Sequence, residues 1–360
     1  MSIIISAVEV GSVRALVPVC YELMSLGKSI IIDDRGFFSN SELAKLKPFL
    51  ITFPDNHLDI ISFLKKNNVK SLLFSVNIHD PYPLFLARIA DSIGIKTVHV
   101  LDYWNGYASR MKLDGNSLFL PTMYIVPDQY AATKAISEGI NERCISIMGQ
   151  PAMADAEESY IASKKQVKNP IKGLFNEKYK IILFISEPVS NDQGNSLEEN
   201  ENYRGYVEKD ALKILIDAVA KTKSIRVLVL PHPRQSVSNL KSIWRSLGGE
   251  KYGQVLDGIR GRDLFPFIVG VSGMASTLLY EAFLIGLPVV SIQPGLLNDL
   301  SRMLENKKNV VFIDRYNFAD KTVFNWLQNL KKGHEIDLRP ELKIHKNASH
   351  QIAQEVIVND

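Results

Sequence analysis

The sequence predicts an α/β protein with two domains, each built on a parallel β-sheet. The chain has 360 residues, which is too long for one small core and suits two α/β domains. Short apolar segments rich in Ile and Val alternate with longer amphipathic segments, which is the order of strands and crossover helices. Small or polar residues end several of the apolar segments. Because ligands bind beyond the carboxyl ends of parallel strands, these residues are the candidates for function.

The composition excludes several classes of protein. Hydrophobic residues make up 46% of the chain and charged residues 22%, as in an ordinary globular protein. The net charge of +3 is mildly basic and lacks the concentrated basic stripe of a nucleic-acid-binding protein, so no nucleic-acid partner is expected. Cys20 and Cys144 lie in apolar contexts outside any metal-ligand spacing, which predicts buried, reduced thiols.

The start of the chain predicts a strand. Residues 1–8 are apolar, but they are too short for a signal peptide and no basic segment precedes them. No apolar run approaches the roughly eighteen residues of a membrane span. We therefore expect a cytoplasmic protein, with peripheral contact at the inner face of the membrane left open.

The first predicted domain covers residues 1–155. Its first turn, Glu9–Ser12, contains only Gly11, so the G-x-G-x-x-G sequence of dinucleotide-binding domains is absent. We predict strands at 2–8, 29–32, 49–53, 71–76, 97–101, 123–126 and 144–148, and helices at 13–26, 56–68, 82–93 and 130–139.

An unusual group of side chains follows the strand at 97–101. The segment Asp102–Tyr107 contains an Asp, an Asn, a Trp and two Tyr residues, and Arg110 comes shortly after it. Aromatic faces suit sugar rings, and Asp or Arg can contact hydroxyls or a carboxylate. The alternative is an aromatic surface turn packed on a neighbouring helix. Asp102 is the first candidate for a catalytic carboxylate, ahead of Glu9 and Asp34.

The second predicted domain covers residues 179–340 and follows a polar linker, 156–178, that contains a helix. Residues 191–206 are polar and lack periodicity, which we interpret as a mobile loop over the site. We predict strands at 179–185, 226–230, 254–256, 267–271, 289–292 and 309–313, and helices at 207–222, 238–247 and 347–356, with one further short helix that opens at Ser276.

The central feature of the second domain is a strand, a turn and a helix within residues 270–288. Ser272 and Gly273 end the strand, and Ser276 and Thr277 open the helix. A helix N-terminus presents unpaired N–H groups and a partial positive charge, which suits a phosphate. The alternative is an ordinary capped helix of an α/β domain.

Two other strand ends lie in the same half of the chain. The strand at 226–230 ends in Pro231–Arg234, P-H-P-R, and the strand at 179–185 ends in Ser186-Glu187. Glu281, about one turn into the short helix, lies close to where a ribose hydroxyl could be held. The polar strand ends together predict a single anion pocket.

These residues resemble a known family. His232-Pro233, a Ser/Thr-rich turn and then E-A-x-x-x-G-x-P-V at 281–289 resemble the donor half of GT-B-fold glycosyltransferases. The pair of motifs is most similar to bacterial sialyltransferases, polysialyltransferases, Kdo transferases and teichoic-acid glycerophosphotransferases, which use CMP- or CDP-activated donors. E-A-x-x-x-G-x-P also occurs in UDP-sugar transferases and UDP-GlcNAc 2-epimerases.

The resemblance implies two Rossmann-like domains with parallel sheets facing a central cleft, the first binding an acceptor and the second a donor. Gly149-Gln150-Pro151 resembles the end of the first domain, and the tail at 341–360 is expected to cross back to that domain. Roles are implied for two sets of residues. The donor would contact Ser186, Glu187, His232, Pro233, Arg234, Ser272, Gly273, Ser276, Thr277 and Glu281, and the acceptor would contact Gly11, Ser12, Trp104, Tyr107 and Arg110.

The catalytic base would come from the first domain. Glu9-Val10-Gly11 lies where Kdo transferases carry a proposed base, although the local sequence departs from that motif. Asp33–Gly36 resembles the acidic motif of sialyltransferases, but Arg35 interrupts it. Asp102 therefore stays first. His232 has three interpretations: a neutral contact to phosphate, a protonated acid, or a buried structural residue.

The expected function is metal-independent glycosyl transfer without a cofactor. The favoured donor is a CMP-activated nonulosonic acid such as a sialic-like sugar, and the acceptor is a hydroxyl of a glycan, a lipid-linked sugar or a protein in bacterial surface polysaccharide synthesis. Three alternatives stay open: a UDP-HexNAc transferase, a UDP-GlcNAc 2-epimerase or nucleotide-sugar hydrolase, and a non-catalytic nucleotide-sugar-binding protein. The dense acidic and His set of the epimerase is not evident in the sequence.

Overall fold

The computed structural model divides the chain into two compact units, each built around a parallel sheet. The first unit consists of Met1–Asp155 and Glu341–Asp360, and the second of Ala156–Pro340. The predicted α/β class is confirmed. The structure describes residues 2–36, 38, 41–76, 80–113, 117–165, 169–297, 302–317, 319–333 and 337–358.

The first unit contains a seven-stranded sheet and a small hairpin. Its strands are β1 (Ser2–Ser6), β2 (Ser29–Asp33), β3 (Leu50–Ile51), β4 (Val69–Phe74), β5 (Lys96–Val100), the hairpin strands β6 (Lys112–Leu113) and β7 (Ser117–Leu118), β8 (Met123–Val126) and β9 (Ile145–Ile147). The sheet order is β3-β2-β1-β4-β5-β8-β9, and all of its pairings are parallel. The chain therefore adds β2 and β3 on one side of β1, and then adds β4, β5, β8 and β9 on the other side.

Four helices of the first unit follow its strands. They are α1 (Val10–Ser25), α2 (His57–Lys66), α3 (Tyr82–Ser92) and α4 (Gln129–Ser137). Alternate strand residues such as Ile3, Ile5 and Leu73 form one core with the apolar face of α1. Because side chains alternate along a strand, Phe74 faces the other side of the sheet, where its ring lies 5.1 Å from that of His99.

The second unit contains a six-stranded parallel sheet. Its strands are β10 (Lys180–Ile185), β11 (Ile225–Leu230), β12 (Gly253–Val255), β13 (Gly270–Gly273), β14 (Val289–Ile292) and β15 (Val310–Ile313). The order β12-β11-β10-β13-β14-β15 is the doubly wound arrangement, in which the direction of building reverses between β10 and β13. The helices are α5 (Ala156–Lys165), α6 (Val189–Gln193), α7 (Glu208–Ala220), α8 (Val237–Ser246), α9 (Gly261–Leu264), α10 (Thr277–Leu284) and α11 (Ala319–Asn329).

The last helix, α12 (Leu342–Val356), belongs to the first unit. Ala348, Ile352 and Val356 are fully buried in the core beside α1. At the other end of α12, a Cβ on Gly149 would come within 2.7 Å of the carbonyl oxygen of Ile344, so glycine is needed for this close approach. Within the described residues, no helix has both the length and the apolar character needed to cross a bilayer.

Several element boundaries differ from the sequence predictions. β13 begins at Gly270 rather than Phe267, because Phe265–Phe267 form a 3₁₀ turn. The strand also ends later than predicted, at Gly273, which still pairs with β10. The first part of the predicted linker forms α5, which is part of the second unit. Helices α6 and α11 were not predicted.

The two cysteines also differ from each other. Cys20 is fully buried, and burial raises the pKa of its thiol. Cys144 is only half-buried, at the end of a short 3₁₀ turn, so its prediction as a buried thiol is wrong. Both cysteines are free.

Candidate functional site

The reversal point of the second sheet brings the polar strand ends together. β10 and β13 are neighbours there, and β11 lies on the other side of β10. The carboxyl ends of these three strands lead into Ser186-Glu187, Pro231–Arg234 and Met274–Ser276. In open α/β sheets this position is the usual place for a ligand.

The N-terminus of α10 is occupied by a carboxylate from the chain itself. Ser276 caps the helix, since its Oγ accepts a hydrogen bond from the backbone N–H of Leu278 at 3.0 Å. One oxygen of Glu187 accepts from the backbone N–H of Ala275 at 2.6 Å. The other lies 3.8 Å from the guanidinium of Arg204. Glu187 therefore fills the position where the sequence predicted a phosphate.

Two opposing influences act on Glu187. Burial raises the pKa of its carboxyl group above the usual value. The cation of Arg204 and the backbone N–H groups of Ala275 and Ser276 act in the opposite direction, while the nearby carboxylate of Asp192 acts in the same direction as burial. The charged form of Glu187 is thus stabilised by its hydrogen-bond and ion-pair partners and destabilised by burial.

His232 is a neutral imidazole at the end of β11. Burial, and then the cation of Arg234, lower the pKa of His232 to about 4. Its Nδ1 accepts from the backbone N–H of Arg234 at 3.2 Å, which leaves Nε2 as the N–H donor of the ring. Of its three interpretations, the protonated acid is disfavoured, and a neutral donor to a phosphate oxygen is compatible with this geometry. Pro233 is exposed beside it.

The two other arginines of the site are also paired with carboxylates. Arg234 makes two hydrogen bonds to Asp192 of α6, at 2.9 and 2.8 Å, and its side chain is half exposed. Arg262 donates to Glu281 at 2.5 Å, and the side chain of Glu281 is buried while that of Arg262 is partly buried. Glu281, predicted to contact ribose, is therefore held in a buried ion pair.

Ser272 lies on the core face of the sheet. It is in register with Phe184 on one side and Val290 on the other, and both of these belong to the buried core of the unit. Because in-register residues of neighbouring parallel strands point to the same face, the Ser272 hydroxyl points into that core. The oxygen is fully buried and has no hydrogen-bond partner among the described residues. Its prediction as a phosphate contact is not supported by this geometry.

The other predicted residues of this edge have mixed environments. Ser186 is fully buried, and its hydroxyl oxygen has no hydrogen-bond partner among the described residues. Thr277 is half-buried in the first turn of α10. Gly273 lets β13 approach β10, since a Cβ there would lie 3.0 Å from the carbonyl oxygen of Ile185. The described residues contain no group of three or more side chains suited to hold a metal ion.

Sequence reasoning missed the way residues 194–206 are anchored. Gly205 crosses Gly295 so closely that a Cβ on Gly205 would lie 1.9 Å from the carbonyl oxygen of Gly295. Tyr206 is buried and donates to the side chain of Gln293 at 3.0 Å, and Gln293 in turn donates to the carbonyl of Met274. The C-terminal end of the segment is therefore fixed against the turn before α10. The signals available in the sequence were the two glycines, of which Gly205 interrupts a polar segment.

The first unit carries the carboxylate that the sequence favoured as a base. One oxygen of Asp102 accepts from Arg110 at 2.6 Å and the other from the hydroxyl of Ser12 at 2.9 Å. Arg110 also donates to the carbonyl of Val76. A Cβ on Gly11 would come within 3.2 Å of the Asp102 carboxylate, so glycine lets this group approach the start of α1. Asp102 is thus a buried, paired residue in this structure.

The other two candidate bases are more accessible. Glu9 is half-buried immediately before α1 and makes no side-chain capping bond to that helix. Asp34 is half-buried and accepts from the backbone N–H of Gly36 at 2.9 Å, as in an Asx turn. Its neighbour Asp33 is fully buried and bonds Ser6.

The aromatic residues of the predicted acceptor site are buried. Trp104 is 1% exposed and donates from Nε1 to Asp128 at 3.0 Å. Tyr107 is 2% exposed, and its carbonyl accepts from the hydroxyl of Tyr124. Their rings therefore present no face to a ligand in this structure, in contrast to the sequence interpretation. The buried Arg110 is likewise occupied by protein groups.

Comparisons with known proteins identify the fold. No protein-family model matches the chain, and no curated protein sequence matches it. The structure of UDP-GlcNAc 2-epimerase from Methanocaldococcus jannaschii matches with a TM-score of 0.65 and 13% identity over 98% of both chains. The enzyme of that name from Neisseria meningitidis, bound to UDP-GlcNAc, matches with a TM-score of 0.64 and 14% identity over 98% of this chain and 99% of that one. HepE from Anabaena, in complex with UDP and glucose, matches with a TM-score of 0.59 and 13% identity over 99% of this chain and 95% of that one.

These matches span both units of the chain. They show that the chain has the GT-B type of α/β fold, as the sequence motifs predicted. None of the three proteins is a sialyltransferase or a Kdo transferase, so the narrower resemblance gains no support from them.

Proposed function

We propose that this chain is an enzyme that acts on a nucleotide sugar, and that its second unit binds the nucleotide diphosphate. The observation that carries the proposal is the arrangement at the reversal point of the second sheet, where three polar strand ends meet beside the N-terminus of α10. Structures of the same fold that match nearly the whole chain are named for UDP-GlcNAc or contain UDP.

A UDP-sugar is the better-supported substrate. Several of the matching solved structures contain UDP-GlcNAc or UDP, whereas the preference for a CMP-activated nonulosonic acid rests on the His232-Pro233 and Ser/Thr motifs alone. We therefore place a UDP-GlcNAc 2-epimerase or a UDP-sugar hydrolase first, and transfer from a UDP-HexNAc second. Transfer from a CMP-sugar comes third.

The neutral His232 has a defined task in this proposal. If the bond between the sugar and the phosphate breaks, negative charge collects on the departing diphosphate. The Nε2–H of His232 can donate to a phosphate oxygen without needing a prior proton uptake, since its pKa is lowered to about 4 by burial. Pro231 and Pro233 restrict the backbone on either side of it.

We infer a different order for the candidate bases from the one that the sequence favoured. Taking a proton on Asp102 would disrupt its ion pair with Arg110, which lies at 2.6 Å within the protein. Glu9 and Asp34 are both half-buried, and Glu9 also lies directly before α1, where Gly11 approaches the Asp102 carboxylate. We therefore propose Glu9 as the base and a positioning role for Asp102.

Binding and turnover are tested separately. Isothermal titration calorimetry with UDP, UMP, CDP, CMP, GDP and dTDP identifies the nucleotide, and proton NMR of UDP-GlcNAc with the enzyme alone follows the sugar. We expect UDP to bind and the sugar to isomerise or to be released without an acceptor.

Other outcomes select the alternatives. If UDP-GlcNAc binds but turns over only after a glycan, lipid-linked or protein acceptor is added, the protein is a transferase. If UDP-GlcNAc binds and never turns over, the protein is a non-catalytic binding protein. Binding of CMP alone would restore the CMP-sugar interpretation. No heat of binding from any nucleotide would overturn the proposal.

A further inference from the structure

Arginine–carboxylate pairs surround the strand ends of the second unit. All three connect a residue of the candidate site to a partner from another segment, and none of them was predicted. The pairs are Arg204–Glu187 at 3.8 Å, Arg234–Asp192 at 2.8 Å and Arg262–Glu281 at 2.5 Å. The cations that a phosphate would use are thus already balanced by carboxylates.

Glu187 also accepts from the backbone. Its side chain is 13% exposed and accepts from the N–H of Ala275, which precedes the capping residue Ser276 of α10. A second acidic group, Asp192, is close enough to raise the pKa of Glu187 further. An anion that arrives at the start of α10 would therefore meet a filled position and two negative charges.

Arg204 is held in place by the backbone around it. Its carbonyl accepts from the backbone N–H of Leu297 at 2.9 Å, and the next residue, Gly205, makes the close crossing with Gly295. The side chain of Arg204 is only 11% exposed where it faces Glu187. The backbone of Arg204 is therefore fixed beside the position that Glu187 occupies.

We propose that Glu187 is an internal competitor for the phosphate of the nucleotide sugar, occupying the position between Arg204 and the Ala275 N–H until a diphosphate replaces it. This inference rests on the proposed function, since it assigns the phosphate position of that same site. Binding then exchanges one anion for another at Arg204 and Ala275, and Glu187 swings away.

The exchange lowers the affinity for every ligand that uses this position. Such a ligand binds only the fraction of molecules in which Glu187 has left it, so its apparent affinity falls by that fraction. UDP and UMP lose affinity by the same factor if each places a phosphate there. Removing the charge of Glu187 should therefore tighten the binding of both ligands.

The test compares three variants by calorimetry with UDP, UMP and inorganic pyrophosphate. Glu187→Gln keeps the shape and can still accept from Ala275, but it removes the negative charge. We expect UDP to bind about tenfold more tightly to this variant, since like charges across a binding site strongly disfavour association. Arg204→Gln should weaken UDP binding by a similar factor. Glu250→Gln, in the exposed pair with Arg245 before β12, is the matched control and should leave the affinity unchanged.

Opposite signs for the two variants are the critical result. If Glu187 only supported the local structure, both variants would weaken UDP, and an unchanged or weaker affinity in Glu187→Gln would overturn the proposal. Tighter pyrophosphate binding by Glu187→Gln without any nucleotide binding would support the competitor and reject the nucleotide-sugar function. If UDP bound with equal affinity to the wild type and to Glu187→Gln, the nucleotide-sugar function would be supported and the competitor role of Glu187 would be rejected.

A measurement on the unchanged protein covers the case in which the variants do not fold. With a ¹³C label on the glutamate carboxyl carbons and a ¹⁵N label on alanine, pyrophosphate or UDP should shift the Glu187 carboxyl and Ala275 amide signals together. Ligand binding that leaves the Glu187 signal in place would overturn the exchange.

Discussion

Two carboxylates at the ends of strands, one in each unit, have similar surroundings. Asp102 and Glu187 both follow a strand and both lie near the start of a helix, α1 in one case and α10 in the other. Each also faces an arginine. A carboxylate at a helix N-terminus is favoured by the unpaired N–H groups there. Each unit therefore has a carboxylate near the start of a helix that is paired with an arginine.

The ion pair of Asp102 makes a prediction about stability. Asp102→Asn should lower the free energy of unfolding by about 3–5 kcal/mol, because it leaves the Arg110 charge buried without its partner. Urea denaturation measures the difference. Asp217→Asn removes the acid of an exposed pair with Lys213 and is the control, with an expected loss much smaller than that of Asp102→Asn because solvent screens the pair. A similar small loss for both variants would show that Asp102 is not part of the stabilising network.

The lowered pKa of His232 gives a second prediction. In the unfolded chain His232 takes a proton near pH 6.5, whereas in the folded protein burial delays protonation until about pH 4. As the pH falls from 7 towards 4, the wild type should therefore lose stability relative to His232→Gln. The expected loss in unfolding free energy is roughly 1–2 kcal/mol after allowance for partial exposure, and it should not increase further below pH 4. Urea unfolding at pH 7 and 4.5 checks this. A constant difference between the two proteins would mean that His232 is not desolvated.

These residues mark the limit of what sequence reasoning could find. Asp102 and Arg110 were recognised as one cluster because they are close in sequence. Their partner Ser12 lies far away along the chain, and Glu187 and Arg204 are joined only through the folded backbone. The local pattern identified polar groups at strand ends, but it did not show that they neutralise each other.

Among the elements, the segment before α7 requires a glycine at one position. Gly205 has a φ of +96°, and a Cβ there would meet the carbonyl oxygen of Gly295 at 1.9 Å. Leu297 donates to the carbonyl of Arg204 beside the crossing. The segment predicted as a mobile loop is thus fixed at this end by backbone contact as well as by the buried side chain of Tyr206.

Gly205→Ala tests this crossing. The left-handed backbone alone disfavours alanine by about 1–2 kcal/mol, and the steric overlap should add about 1–3 kcal/mol. Gly258→Ala is the control, because its φ is +68° and a Cβ there has nothing within 4 Å. Chemical denaturation should show a clearly larger loss for Gly205→Ala. Equal losses would mean that the crossing relaxes easily.

Element boundaries were predictable where local chemistry sets them. Ser276 was expected to open α10 and does cap it, and the strand at 123–126 is found as expected. The start of β13 was misplaced because Phe267 and Ile268 are as apolar as a strand, while Pro266 and the neighbouring residues form a 3₁₀ turn instead. Tertiary pairing with β10 decided that boundary, and no local pattern carries that information.

For the whole molecule, the doubly wound order of the second sheet predicts where a ligand will protect the chain. If UDP binds at the reversal point, hydrogen exchange should slow at residues 186–189, 204–206, 231–235 and 273–278. The hairpin of β6 and β7 should be unaffected. UDP at a hundredfold excess over its Kd should also raise the unfolding free energy by about 2.7 kcal/mol. Protection confined to other segments would place the nucleotide elsewhere.

The fold class was the most predictable property of the chain. Alternating strands and helices, with polar residues such as Glu187 and His232 at strand ends, are enough to identify two parallel α/β sheets. The partners of these polar strand ends were not predictable in the same way. They come from residues distant in sequence, such as Arg204, whose backbone is fixed beside the crossing of Gly205 and Gly295.

The position of α12 in the first unit has a consequence for how the protein is made. Ile352 and Val356 complete the core around α1, yet they follow residues 156–340 along the chain. At about 5–20 residues per second, a ribosome needs about 10–40 s to synthesise the second unit before α12 emerges. During that interval the apolar face that α12 covers lacks its partner. The nascent first unit therefore waits for its last helix, and during this time it is exposed to chaperones and to aggregation.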